Sequence, residues 1–153
     1  MDACGDSTAP LAPHAPPPAP PPRFSKRRRV AMAVTFGLGN AANAFLWICF
    51  APVAQASARR FDVSVDAVNQ LSLLYLYLYA PGLVLSAMVT RRFGFRANVA
   101  VGASLNVACG WVRVAARAAS PRAAFAVVAA GQALGAMGQP SFTNAPALLA
   151  LEW

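Results

Sequence analysis

Lys26-Arg27-Arg28-Arg29 gives way directly to Val30-Ala31-Met32-Ala33-Val34-Thr35-Phe36-Gly37-Leu38, and the apolar character then persists through Phe45-Leu46-Trp47-Ile48-Cys49-Phe50 to about Ala56. A run of roughly 25 apolar residues is long enough to span a bilayer as a helix. A secretory signal would carry a shorter apolar region nearer the start, so the stretch reads as a retained membrane helix with a basic flank. Three more apolar stretches follow, over 67–90, 97–116 and 123–147, each near the ~20 residues that spanning requires. The second contains Leu74-Tyr75-Leu76-Tyr77-Leu78-Tyr79, whose period of two suggests a strand in isolation. A membrane barrel strand alternates in this way for only ~10 residues, so the long continuous run favours helix. The expected fold is therefore an all-α membrane protein with spans over 30–56, 67–90, 97–116 and 123–147.

Composition agrees with that reading. Of 153 residues 58% are hydrophobic and 12% charged, with a mean hydropathy of +0.48. Soluble domains carry about 25% charge, so lipid is the natural solvent for this surface. Eight of the 13 prolines lie in the first 22 residues. That segment cannot bury a core, and residues 1–28 read as a disordered, proline-rich and basic tail.

Thirteen Lys and Arg face only five acids, and those acids (Asp2, Asp6, Asp62, Asp66, Glu152) avoid the apolar runs. This excludes much acid–base enzymology, and the chain reads as a non-enzyme. Cys4, Cys49 and Cys109 are widely separated and His14 sits among prolines, so neither a disulfide framework nor a zinc site is legible, and no cofactor is implied. Arg23, Lys26, Arg27, Arg28 and Arg29, together with Arg91, Arg92 and Arg96, place eight of the 13 basic residues on one side of the expected helices. By the positive-inside rule that side, including the amino terminus, faces the cytoplasm. Arg113, Arg117 and Arg122 pull mildly the other way. Arg113 lies close enough to a span end for its guanidinium to snorkel toward the interface.

Gly37-Leu38-Gly39-Asn40-Ala41-Ala42 matches G-x-G-x-x-A, with Asp62 twenty residues beyond its final glycine-rich turn where a ribose ligand is placed in dinucleotide folds. The segment before Asp62, Ser57-Ala58-Arg59-Arg60-Phe61, is no buried strand, and the supposed phosphate helix is apolar all round. The match is therefore discarded. Pro18-Ala19-Pro20-Pro21-Pro22-Arg23 fits a polyproline ligand, a match that arises by chance in any such tail. Lys26 to Arg29 directly before a span is a topology determinant and a contact for anionic lipid, and no nucleic-acid partner follows from it.

Asn40, Asn43 and Trp47 recur at helical spacing, which makes one stripe of two amides and an indole. Polar groups facing lipid are costly, so the stripe faces other helices or a water-filled cavity. Gln132 and Gln139 share a face seven residues apart, and Gly131 with Gly135 forms a G-x-x-x-G pair that admits a close helix. Interhelical hydrogen bonding and a solute-lining wall both remain open for these residues.

Several motifs occur together and in order. Asn43-Ala44-Phe45-Leu46-Trp47 fits N-A-x-x-W, Phe50-Ala51-Pro52-Val53-Ala54 fits F-A-P-V-A, and Leu71-Ser72-Leu73-Leu74-Tyr75 fits L-S-x-x-Y. Gly94-Phe95-Arg96, Gly102 through Asn106 and Gly131-Gln132 with Gln139 continue the series. Over about Arg29 to Trp153 the chain resembles the feline leukaemia virus subgroup C receptor-related family, solute carrier family 49 of the major facilitator superfamily, and most of all the major facilitator superfamily domain-containing protein 7 branch. The resemblance implies the start of a major-facilitator-type N-terminal half, an incomplete N-terminal part of a transporter that needs further C-terminal helices. It implies transport of a small organic solute by alternating access, with a choline-like cation the favoured class, since a first-helix Trp and a fourth-helix Gln contact the solute in choline-transporting members. By motif position these are Trp47 and Gln139, with Asn43 and Gln132 as further candidates for solute binding. Two positions depart from the pattern: Arg91 replaces the usual acid of the loop between helices two and three, and Gln70 replaces a Trp. The rival from another class is a self-contained four-helix membrane scaffold or oligomeric assembly protein.

Overall fold

The computed structural model describes residues 25–144. The proline-rich segment and the end of the fourth apolar stretch, 145–147, therefore lie outside the described residues. Five α-helices follow one another: α1 (Lys26–Ile48), α2 (Ala54–Phe61), α3 (Val65–Phe93), α4 (Phe95–Ala115) and α5 (Pro121–Thr143), with a 3-10 turn, Ala116–Ala118, after α4. No strand occurs among the described residues. The alternating Leu-Tyr segment lies inside α3, with Tyr75 buried and Tyr77 65% exposed, as a helical rather than a two-residue period distributes them.

The first apolar stretch is divided. α1 incorporates Lys26 to Arg29 and stops at Ile48; the chain turns through Cys49–Val53, past Pro52, into the separate short helix α2. Hydropathy alone does not reveal this break, because the turn residues Phe50, Ala51, Pro52 and Val53 are themselves apolar. In α2, Arg59 and Arg60 are exposed while Ala58 is buried. Ala58 joins Val68, Leu71, Ala116, Ala124 and Val128 in a small apolar core. That core ties α2 to one end of α3 and α5, and Arg122 adds an exposed ion pair to Asp62 at 3.8 Å.

At the opposite end α3 and α4 are joined by a single residue, Gly94, at φ +84°. A side chain is strained in that region and glycine is not. Asn98, one turn into α4, donates to Ser86 Oγ at 2.9 Å and accepts from Ser141 Oγ at 3.0 Å, linking α3, α4 and α5 in a buried polar chain. Interhelical hydrogen bonds of this kind average about 0.6 kcal/mol and reach about 1.7 kcal/mol. Asn98→Ala is accordingly expected to lower stability by about 1 kcal/mol, read as earlier thermal unfolding in detergent, whereas Ser104→Ala on the exposed face should leave it unchanged.

α5 is the hub, packing on α1, α2, α3 and α4. Its small residues allow this. A Cβ on Gly131 would stand 3.2 Å from Cys109 O, and one on Gly138 would stand 3.1 Å from Gly102 O, so α4 backbone lies directly against both glycines. α1, α3 and α4 with its 3-10 turn are long and apolar enough to cross a membrane. α5 has equal length to α1, 23 residues, but carries Gln132, Gln139, Pro140, Ser141 and Thr143 and a far more buried surface.

Candidate functional site

The polar residues of α1 separate according to how they meet α5. Asn43 is buried at 1% exposure and donates through Nδ2 to Asn106 Oδ1 at 2.8 Å and to Gly135 O at 3.0 Å. Asn40 lies exposed. Trp47 is 39% exposed; its Nε1–H donates to Ser72 O at 3.0 Å, and its ring lies 6.4 Å from that of Tyr75 at 31°. The indole is thus held along one edge by α3 while much of its surface stays open. The sequence stripe thus meets different environments: Asn43 is buried among the helices, Asn40 is exposed, and Trp47 is partly exposed against α3.

The glutamines of α5 divide similarly. Gln132 is fully buried, and its Nε2 donates to Leu46 O at 3.2 Å and Trp47 O at 3.5 Å. Gln139 is half-buried, and its side chain makes no hydrogen bond among the described residues. Helical spacing puts both on one face, but only Gln132 lies under the end of α1. Asn106 was legible in the sequence as part of a motif and not as a partner for Asn43; nothing in local spacing links residues 63 positions apart.

Arg113, near the end of α4, reaches the end of α1. Its Nη1 donates to Leu46 O at 3.4 Å, its Nη2 lies 2.6 Å from Cys49 Sγ, and its Cζ sits 4.6 Å above the Phe50 ring. The guanidinium is therefore spent on the end of α1. Two buried polar atoms, Tyr75 Oη and Gln132 Oε1, have no hydrogen-bond partner among the described residues. The hydroxyl can donate and the carbonyl can accept, so each is a point that a water or a polar group can satisfy. Among the described residues no cluster of His, Cys, Asp or Glu could hold a metal ion.

No family model matches the chain. Known proteins do. Solute carrier family 49 member A3 of Danio rerio is 39% identical over 130 residues, 83% of this chain and 27% of that protein. This is a solute carrier family 49 sequence. The member A3 protein of Xenopus tropicalis is 32% identical over 136 residues, 86% of this chain and 28% of that protein. The human choline/ethanolamine transporter FLVCR2 is 28% identical over 127 residues, 83% of this chain and 24% of that protein. The chain thus spans about a quarter of the length of these relatives. With three helices of membrane-crossing length and apolarity, it is part of an integral, multi-pass membrane protein.

Proposed function

We propose that this family 49 chain forms the N-terminal part of a transporter of the major facilitator type, which carries a small choline-like cation across the membrane by alternating access. α5 is its fourth span, and helices beyond this stretch complete the cavity. The observation that carries the reading is the similarity to proteins named as choline/ethanolamine transporters. A match of 127 residues in a chain of 153 necessarily includes Trp47, and the Trp47 indole is partly open. An indole face attracts a quaternary ammonium, and an amide such as that of Gln139 meets a hydroxyl. Trp47 and Gln139 contact the solute in this reading, with Asn43 and Gln132 forming the wall behind them. Uptake of labelled choline by cells expressing the full-length gene product tests it. Saturable uptake above that of untransfected cells is expected, and none at matched surface expression would return the chain to the scaffold reading.

Two further outcomes belong to the same proposal. The concentration of basic residues at Lys26–Arg29 and at Arg91, Arg92 and Arg96 sets both on the cytoplasmic side. Single cysteines introduced at Ser25 and Arg92 are then expected to resist an impermeant thiol reagent in intact cells and react after permeabilisation; reaction of both in intact cells reverses the topology. Beyond Asp66 in the first turn of α3, no Asp or Glu lies in α1, α3, α4 or α5, so this part of the protein offers no carboxylate for a proton relay. Uptake is therefore expected to persist when the proton gradient is dissipated at constant membrane potential, and its collapse would assign a relay to the helices beyond this stretch.

A further inference from the structure

Because α1 stops at Ile48, the carbonyls of its last turn, Phe45 to Ile48, have no partners within the helix. In a membrane such groups must be met by other donors. Phe45 O accepts from the Cys49 amide and Ile48 O from the Ala51 amide, each at 3.0 Å. The two carbonyls between them are met from outside α1. Leu46 O accepts from Arg113 Nη1 at 3.4 Å, Gln132 Nε2 at 3.2 Å and Cys49 Sγ at 3.2 Å. Trp47 O accepts from Gln132 Nε2 at 3.5 Å. A cation is also favoured at this end of a helix by the macrodipole. The other arm of the guanidinium lies 2.6 Å from Cys49 Sγ, with Cys109 Sγ 4.0 Å from Nη1. Access for Arg113 depends on Gly131, where a Cβ would stand 2.8 Å from Arg113 Cγ.

We infer that Arg113 and Gln132 are positioning residues. From α4 and α5 they hold the last turn of α1, and with it Trp47, in register with the bundle, and Arg113 covers the Cys49 thiol. The consequence for transport rests on the proposed role of Trp47; the hold on α1 and the cover over Cys49 do not.

The two native thiols separate a local release from a general loosening. Cys49 is half-buried under Arg113, while Cys109 is fully buried beneath Gly135. The full-length protein in membrane vesicles is alkylated with N-ethylmaleimide, and modification at each cysteine is followed by peptide mass spectrometry. The rate is expressed per thiolate from its pH profile, because Arg113 beside the sulfur also favours the thiolate; on that scale the Cys49 rate in Arg113→Gln is expected to rise about tenfold, the lower end of what a hydrogen bond to a charged group carries, with Cys109 unchanged. Arg113→Lys, which keeps a donor that can cover the sulfur, should restore part of the protection on the same per-thiolate scale. Arg113→Gln, which lies outside the proposed solute contacts, should raise the choline KM about three- to tenfold, with the maximal rate per transporter retained. An unchanged Cys49 rate, or equal acceleration at Cys49 and Cys109, overturns the inference. Faster Cys49 labelling with an unchanged KM overturns the positioning of Trp47. If the wild-type protein moves no choline, the transport reading fails while Cys49 still decides the hold on α1.

Discussion

Gly135→Val is expected to cost about 3 kcal/mol or more of stability, enough to remove most of the folded protein from detergent extracts. A Cβ at this position would press into Tyr75 Oη and stand 3.1 Å from Cys109 Sγ. Tyr75 and Cys109 are themselves buried at 1% and 0% exposure, so neither has room to retreat. Overpacking a tight site costs about 1–3 kcal/mol for modest additions, and valine adds a branched group where even one carbon does not fit. The same residue's carbonyl accepts from Asn43, so displacing α5 also removes a link to α1. Gly110→Val is the control, since a Cβ there meets nothing within 4 Å. Size-exclusion profiles and thermal unfolding of the two variants should differ sharply; similar profiles would mean that α3, α4 and α5 do not approach as described.

Trp47→Ala is expected to weaken choline by roughly two- to thirtyfold, the equivalent of about 0.5–2 kcal/mol for a cation over an indole face. Trp47→Phe should retain part of the affinity because it keeps an aromatic face without the Nε1–H. That N–H donates to Ser72 O, so the Phe variant also loses the bond that orients the ring against α3. Affinity is measured as the uptake KM in the full-length protein at matched surface expression. A Trp47→Ala variant with wild-type KM would make the indole a packing group between α1 and α3.

The helical character of the chain was legible because long apolar runs and a basic flank leave few alternatives, and the Gly131–Gly135 pair announced the close approach seen at α5. What was not legible is tertiary. The end of α1 at Ile48 is concealed because Phe50 to Val53 continue the apolar pattern, and α2 (Ala54–Phe61) straddles the end of the expected first span at 56. Arg113 was read by its nearness to a helix end, and its partners there, a carbonyl that α1 leaves open and the Cys49 sulfur, lie more than 60 positions away in sequence. Helical spacing put Asn43 and Trp47 in one stripe. It does not say how wide a strip α5 covers, and the boundary of that strip falls between them.

The most direct measurement compares choline with tetramethylammonium as competitors of labelled choline uptake in the wild-type, Trp47→Ala and Gln139→Ala full-length proteins. Both solutes carry the quaternary ammonium, and only choline carries a hydroxyl. Trp47→Ala is expected to weaken both by a similar factor, whereas Gln139→Ala should weaken choline by about two- to tenfold, the range of one net hydrogen bond, and leave tetramethylammonium unchanged. Unaltered competition in both variants, or an equal loss of both solutes in Gln139→Ala, would contradict the division of recognition between α1 and α5.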